Sequence, residues 1–125
     1  MILDTNAISA LAGLDQTLAR MVDADGNASL SFIAVAEYRY GILGSTKQIA
    51  CQKTLDGLLE ILPVLLPDLE TLEIYAALSH ELKRVGRTIP TNDLWIAALA
   101  RQHAMPVLSR DQHFDRIPDI QRLQW

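Results

Sequence analysis

The chain opens MILDTN, residues 1–6, and the reading of these six residues decides the rest. Ile2 and Leu3 begin a short buried strand, which leaves Asp4 at its exit. A buried carboxylate without a partner is costly, so other parts of the chain must supply one. A second stretch has the same form. In VLSRD, residues 107–111, an apolar run is again followed at its carboxyl end by an acid, Asp111.

Between these stretches, helical patterns alternate with short β-like runs. Strands are expected at Ile2–Asp4, Leu30–Ile33, Leu62–Leu65, Pro106–Leu108 and Arg122–Leu123. Helices are expected at Asp15–Ala24, closed by the Asp25-Gly26-Asn27 turn, and at Ala34–Leu43, stopped by Gly44. Cys51, Leu55, Leu58 and Leu62 fall at helical spacing, which makes Cys51 a core or interface residue. A long amphipathic helix runs from Asp68 to Val85, with Leu72, Tyr75, Ala76, Ser79 and Leu82 on one side and Gly86 ending it. Thr91–His103 is apolar nearly all round and therefore central. This alternation predicts an α/β fold: a parallel sheet flanked by helices on both faces, with ligands at the carboxyl ends of its strands.

The bulk properties bound the function. A chain of 125 residues is the size of one domain, 1–125, and buries about two-thirds of its unfolded surface. Half the residues are apolar, too many for disorder. No apolar run reaches the ~20 residues of a membrane span, and no signal-peptide pattern opens the chain, so a soluble cytoplasmic protein is expected. The lone cysteine excludes an internal disulfide. A net charge of −4 argues against an indiscriminate nucleic-acid coat protein, yet permits carboxylates gathered in one pocket.

Most of the 15 acids fit turns, helix starts or exposed faces. Four fit less well. Asp4 and Asp111 follow strands. Glu37 falls on a stripe of Ile33, Ala36, Tyr40 and Gly44 just after the second strand, and Asp93 opens the central helix. Each has an ordinary explanation: Asp4 as a helix cap, Asp93 as an acid favoured by a helix dipole, Asp111 as a turn residue, Glu37 as a side chain reaching out from the stripe edge. A doubly wound topology would nevertheless bring all four to one rim. Two carboxylates ~5 Å apart repel by roughly 3 kcal/mol at an effective dielectric near 20, so four require shared protons or a cation. Oxygen ligands favour Mg²⁺ or Mn²⁺ over zinc, and such sites suit metal-assisted phosphodiester hydrolysis.

At this point LDTN, AEYRYGI, RTIPTNDLWIAA and VLSRDQHFDRI, in that order along the whole chain, resemble the PIN-domain ribonucleases, and more narrowly the VapC toxins of type II toxin–antitoxin systems. The resemblance implies a five-stranded parallel sheet, a homodimer, Mg²⁺-dependent endoribonuclease activity on RNA through metal-activated water, and inhibition by a small VapB-like antitoxin. It makes Asp4 and Asp93 the core metal ligands, Glu37 an orienting or ligating acid and Asp111 the completion of the shell, with Asp115 close enough to assist. Thr5, Asn6, Asn92 and Ser109 could hydrogen-bond the carboxylates. A PIN-like module that binds antitoxin or RNA without cutting is the alternative. An aspartyl phosphotransferase fits poorly, since Asn6 stands where a second acid belongs.

Other residues carry weaker signals. Lys83, Arg84 and Arg87 could complement a helix dipole or grip RNA phosphates, and Arg39 and Arg110 could balance the neighbouring acids. Trp95, Tyr38 and Tyr40 are read as packing residues rather than base-stacking ones. His80, His103 and His113 show no ligand spacing and are read as structural or surface residues.

Overall fold

A computed structural model describes all residues from Met1 to Trp125. In chain order its elements are β1 (Ile2–Leu3), α1 (Thr5–Ala12), α2 (Gln16–Asp25), β2 (Ser29–Ser31), α3 (Phe32–Leu43), α4 (Gln48–Ile61), β3 (Val64–Leu65), α5 (Leu69–Arg84), α6 (Thr91–His103), β4 (Val107–Leu108), a 3-10 turn (Gln112–Arg116) and β5 (Arg122–Leu123). The five strands form one parallel sheet in the order β3-β2-β1-β4-β5.

Alternation along these strands divides the interior. Leu3 pairs in register with Leu30 and Leu108, and all three point into a core closed by α1, α2, α3 and α4. Ile2 and Val107 point the other way, into a core built with α5, α6 and the 3-10 turn. Each fully buried leucine or isoleucine here contributes about 2 kcal/mol of transfer free energy. Helices therefore cover both faces, as the alternating pattern predicts.

The strands are shorter than their apolar runs because the exit residues cap helices instead. Asp4 accepts a hydrogen bond from the Thr5 backbone N–H and starts α1, a helix absent from the expected elements. Ser31 accepts from the Ala34 N–H, so α3 begins at Phe32 and ends the second strand two residues early. Gly26 and Gly86 stop α2 and follow α5 with φ of 64° and 68°, a conformation that favours glycine.

Two helix faces depart from expectation. On α3 the buried residues are Ala34, Tyr38 and Ile42, whereas Tyr40 is 80% exposed. Glu37 is thus not on a buried stripe but on its margin. On α5 the face against α6 carries Thr71, Leu78 and Leu82 with Tyr75 half-buried, and Leu72 is exposed. Cys51 packs at the edge of the first core beside Leu55.

Candidate active site

β1 and β4 lie side by side at the middle of the sheet, and the chain leaves them toward opposite edges. Such a switch opens a crevice at the strands' carboxyl ends. Asp4 leaves β1 there and Ser109 leaves β4; Asp4 is only 5% exposed and Ser109 is fully buried. Ser109 Oγ donates to Asp4 Oδ2 at 2.6 Å and accepts from the Asp111 N–H at 2.9 Å, which ties the two acids together. Asn6 Nδ2 donates to the same Asp4 oxygen at 2.7 Å, and the Thr5 N–H donates to Asp4 Oδ1 at 2.6 Å.

Glu37 reaches this group from α3. Thr5 Oγ1 donates to its Oε2 and Asn92 Nδ2 to its Oε1, both at 2.5 Å. One side chain from α1 and one from α6 therefore aim the carboxylate. Asp93, in the first turn of α6, comes from the far side, and its Oδ2 lies 2.9 Å from His113 Nδ1. That ring nitrogen is also 2.9 Å from Asp111 Oδ1, which accepts the His113 backbone N–H as the cap of the 3-10 turn.

Asp93, Asp111 and His113 present ligand atoms within 4.8 Å of one another and can hold a metal ion. Asp4 and Glu37 adjoin them through Ser109, Thr5 and Asn92 rather than standing inside that triad. His113, read from the sequence as a structural or surface residue, lies between two of the acids. Its sequence signal was slight, a position two residues after Asp111 in a turn that folds back over α6.

The electrostatics agree with the geometry. None of the four carboxylates pairs with a lysine or arginine. Burial pushes Asp93 up to about 6, helped by the charges of Asp111 and Asp4, while its bond to His113 opposes the rise. Burial also raises Asp4, with Glu37 and Asp111 adding to the effect and the Ser109 and Thr5 bonds resisting it. Oxygen-rich donors of one charge sign, braced by hydroxyls and amides and without a lysine or arginine partner, fit a hard divalent ion.

The rim is polar. Asn6, Arg110, Asp111, Gln112, His113 and Arg116 line an open depression of about 620 Å³. Arg110 stacks its guanidinium 4.3 Å above the Trp125 ring and lies 3.5 Å from Asp15, to which Trp125 Nε1 also donates. Asp115 is not available to assist Asp111, because it forms two 2.7 Å bonds with Arg122. Trp95 stacks on Tyr75 and meets the edge of Phe32, and Tyr38 is buried; Tyr40 alone of the three aromatics is exposed. Arg39 and Lys83 are exposed, and Arg84 and Arg87 line a neighbouring cleft.

The model of the PIN domain family matches residues 1–120. Ribonuclease VapC5 of Mycobacterium tuberculosis is 38% identical over 87 residues, a stretch that covers 66% of this chain and 62% of that protein. VapC ribonuclease Y4jK of Sinorhizobium fredii is 37% identical over 123 residues, 89% of this chain and 86% of the relative. The crystal structure of VapBC2 from Rickettsia felis, bound to a DNA fragment from their promoter, superposes with a TM-score of 0.91 at 26% identity, over 99% of this chain and 97% of that one.

Proposed function

The chain belongs to the PIN-domain family, and from that premise we propose that residues 1–125 form one PIN domain acting as the toxin of a type II toxin–antitoxin pair, a metal-dependent endoribonuclease. The observation that carries this reading is the set of four acids at the strand switch, two of them with raised pKa and none paired with a lysine or arginine. The proposed site is Asp4, Glu37, Asp93 and Asp111, joined by His113. The ion is Mg²⁺, with Mn²⁺ as its substitute, because the set is dominated by carboxylate oxygen.

When bound, the ion supplies Lewis-acid polarisation of the scissile phosphate and a more acidic water. The chain does the rest. Ser109 and Asn6 fix Asp4 Oδ2, and Thr5 and Asn92 hold both oxygens of Glu37, so neither acid must reorganise during reaction. The proton that Asp93 holds up to about pH 6 must leave before it serves as a ligand. His113 Nδ1 sits beside it and restricts its rotation. Arg110 and Arg116 on the rim offer donors to flanking phosphates.

Partners follow from the relatives. VapBC assemblies pair a VapC with its antitoxin, so a VapB-like chain is the proposed inhibitor. Exposed Tyr40, Leu43, Leu66 and Leu69 support a homodimer or an antitoxin contact that covers them. Light scattering that finds a stable monomer at micromolar concentration would remove the dimer. No helix is long and apolar enough to cross a membrane, and the cytoplasm, where RNA is found, is the proposed place of action.

The deciding experiment is cleavage of labelled total RNA by the purified chain with Mg²⁺, Mn²⁺ or EDTA, beside Asp4→Asn. Discrete products that need metal and vanish in the variant are expected. Intact RNA under every condition, with folded protein free of antitoxin, would favour the silent binding module instead.

A further inference from the structure

The chain has eight arginines, and three of them are paired with carboxylates: Arg101 with Glu81 and Asp119, Arg110 with Asp15, Arg122 with Asp115. That leaves five without an acidic partner. Three of those five, Arg84, Arg87 and Arg116, line a single cleft of about 440 Å³ between the end of α5 and the segment after the 3-10 turn. In a molecule of net charge −4 this is a local concentration of uncompensated positive charge. Exposed Val85 and Pro118 give the same cleft apolar surface.

The cleft adjoins the acid site at one residue. Arg116 lines both this cleft and the depression that holds Asp111 and His113. Its Nη1 donates to the Thr88 carbonyl at 2.7 Å, which fixes the loop leading from Arg87 into α6 and so to Asp93. A ligand that crosses from one hollow to the other passes over a held guanidinium.

We propose that this cleft is a nucleotide subsite: it takes the single-stranded RNA that flanks the scissile bond, with phosphates on Arg84, Arg87 and Arg116 and a sugar or base edge against Val85 and Pro118. The proposal rests on the nuclease reading for the identity of the ligand. Charge complementarity and adjacency to the acid site, through Arg116, select RNA as the occupant. Guanidinium groups bind phosphate and also stack on unpaired bases, so a chain of nucleotides uses the arginines and the apolar surface together. The arginines also explain how an acidic protein can hold a polyanion beside four carboxylates.

The test reads binding without turnover. Fluorescence anisotropy follows a labelled single-stranded RNA of about 12 nucleotides, and one of about 4, on Asp4→Asn protein with Mg²⁺. Adding Arg84→Ala and Arg87→Ala should weaken the longer RNA about tenfold and lower its salt slope by about 1.4, two single-strand phosphate contacts. The shorter RNA, confined to the acid site, should be little affected. Arg84→Lys with Arg87→Lys should restore most of the affinity, and unchanged circular dichroism will confirm that the alanine variant is folded. Equal affinity and slope with and without the two arginines overturns the subsite. So does a variant that keeps its RNA but loses a VapB-like antitoxin, which would make the cleft a protein contact. Failure of the nuclease reading looks different: no RNA is cut by the unsubstituted chain, while the arginine-dependent binding persists. No binding of either RNA overturns both.

Discussion

Asp93 and Asp115 are the same residue type, one in the first turn of α6 and the other in the 3-10 turn that follows β4, and their surroundings drive them apart. Asp115 meets Arg122 through two hydrogen bonds, and that partner holds its carboxyl below the usual range. Asp119 is lowered in the same way by Arg101. Asp93 has two acids and a histidine for neighbours, lies largely out of water and is pushed up to about 6. The edge of the sheet beyond β4 thus uses acids to neutralise arginines, whereas the switch between β1 and β4 gathers four acids around a single histidine and no arginine or lysine. The first arrangement stabilises a fold. The second costs stability unless a cation arrives, which is the signature of a functional site.

The largest expected effect tests this contrast directly. Asp4→Asn or Asp93→Asn should lower RNA cleavage on the order of 10³-fold, about 4 kcal/mol of barrier. Asp115→Asn should lower the Tm and leave kcat close to the unsubstituted value. Single-turnover cleavage and thermal unfolding of the three variants check both halves. Loss of activity in Asp115→Asn equal to that in Asp4→Asn would abolish the distinction.

His113 comes next. If it braces or joins the metal set, His113→Gln should weaken Mg²⁺ binding about 10- to 100-fold, the usual size of a supporting-residue effect. The check is the metal concentration needed for half-maximal cleavage. An unchanged value would return His113 to the structural role that its sequence position suggested.

The third effect concerns stability and its sign. In the unfolded chain Asp93 titrates near its ordinary 3.8, and in the metal-free fold near 6. Between these values the folded protein holds a proton that the unfolded chain has released. Stability therefore falls as pH rises from about 4 to about 6 and stays low above that. Asp93→Asn lacks this penalty and should be about 1–2 kcal/mol more stable than the unsubstituted chain in EDTA near neutral pH, allowing for solvent screening. The advantage should vanish near pH 4. Urea unfolding at several pH values reads it, and a variant no more stable at pH 7.5 would show that Asp93 carries no unfavourable charge.

How much of this was legible beforehand depended on whether the signal was local. Thr91–His103 and Arg122–Leu123 were readable to the residue, since Pro90, the apolar run and the flanking turns mark their bounds. Asp4, Asp93 and Asp111 were readable as suspects because strand ends and helix starts are local features, and parallel topology carries them to one rim. The buried face of α3 was not readable. Ile33, Val35, Tyr40 and Leu43 surround the helix with apolar side chains, so periodicity cannot choose between them and the Ala34, Tyr38, Ile42 face that is buried. Helix α1 was hidden for a different reason: at eight residues TNAISALA is too short to hold as a helix alone, and packing of Ala7 and Ile8 into the core forms it. The role of His113 depends on contact with a residue 20 positions away, which no local pattern records.

Arg110 is the residue that could blur the contrast between paired and unpaired charges, because it belongs to both regions. It borders the acid site, yet Asp15 and Trp125 hold it by a 3.5 Å ion pair and a stacked ring. A guanidinium stacked on an indole at an exposed position is stabilised there by roughly 0.5–1 kcal/mol, a factor of about two to five in how often it keeps that place. If Arg110 meets a substrate phosphate from this held position, Trp125→Ala should raise KM for RNA by about that factor and leave kcat alone. Trp125→Phe keeps a ring but loses the Nε1 bond to Asp15, and should fall between the two. An unchanged KM in Trp125→Ala would place Arg110 with Arg101 and Arg122 as a structural cation. A drop in kcat would instead mean that the ring supports Asn6 and, through it, Asp4, since the Arg110 N–H also donates to Asn6 Oδ1.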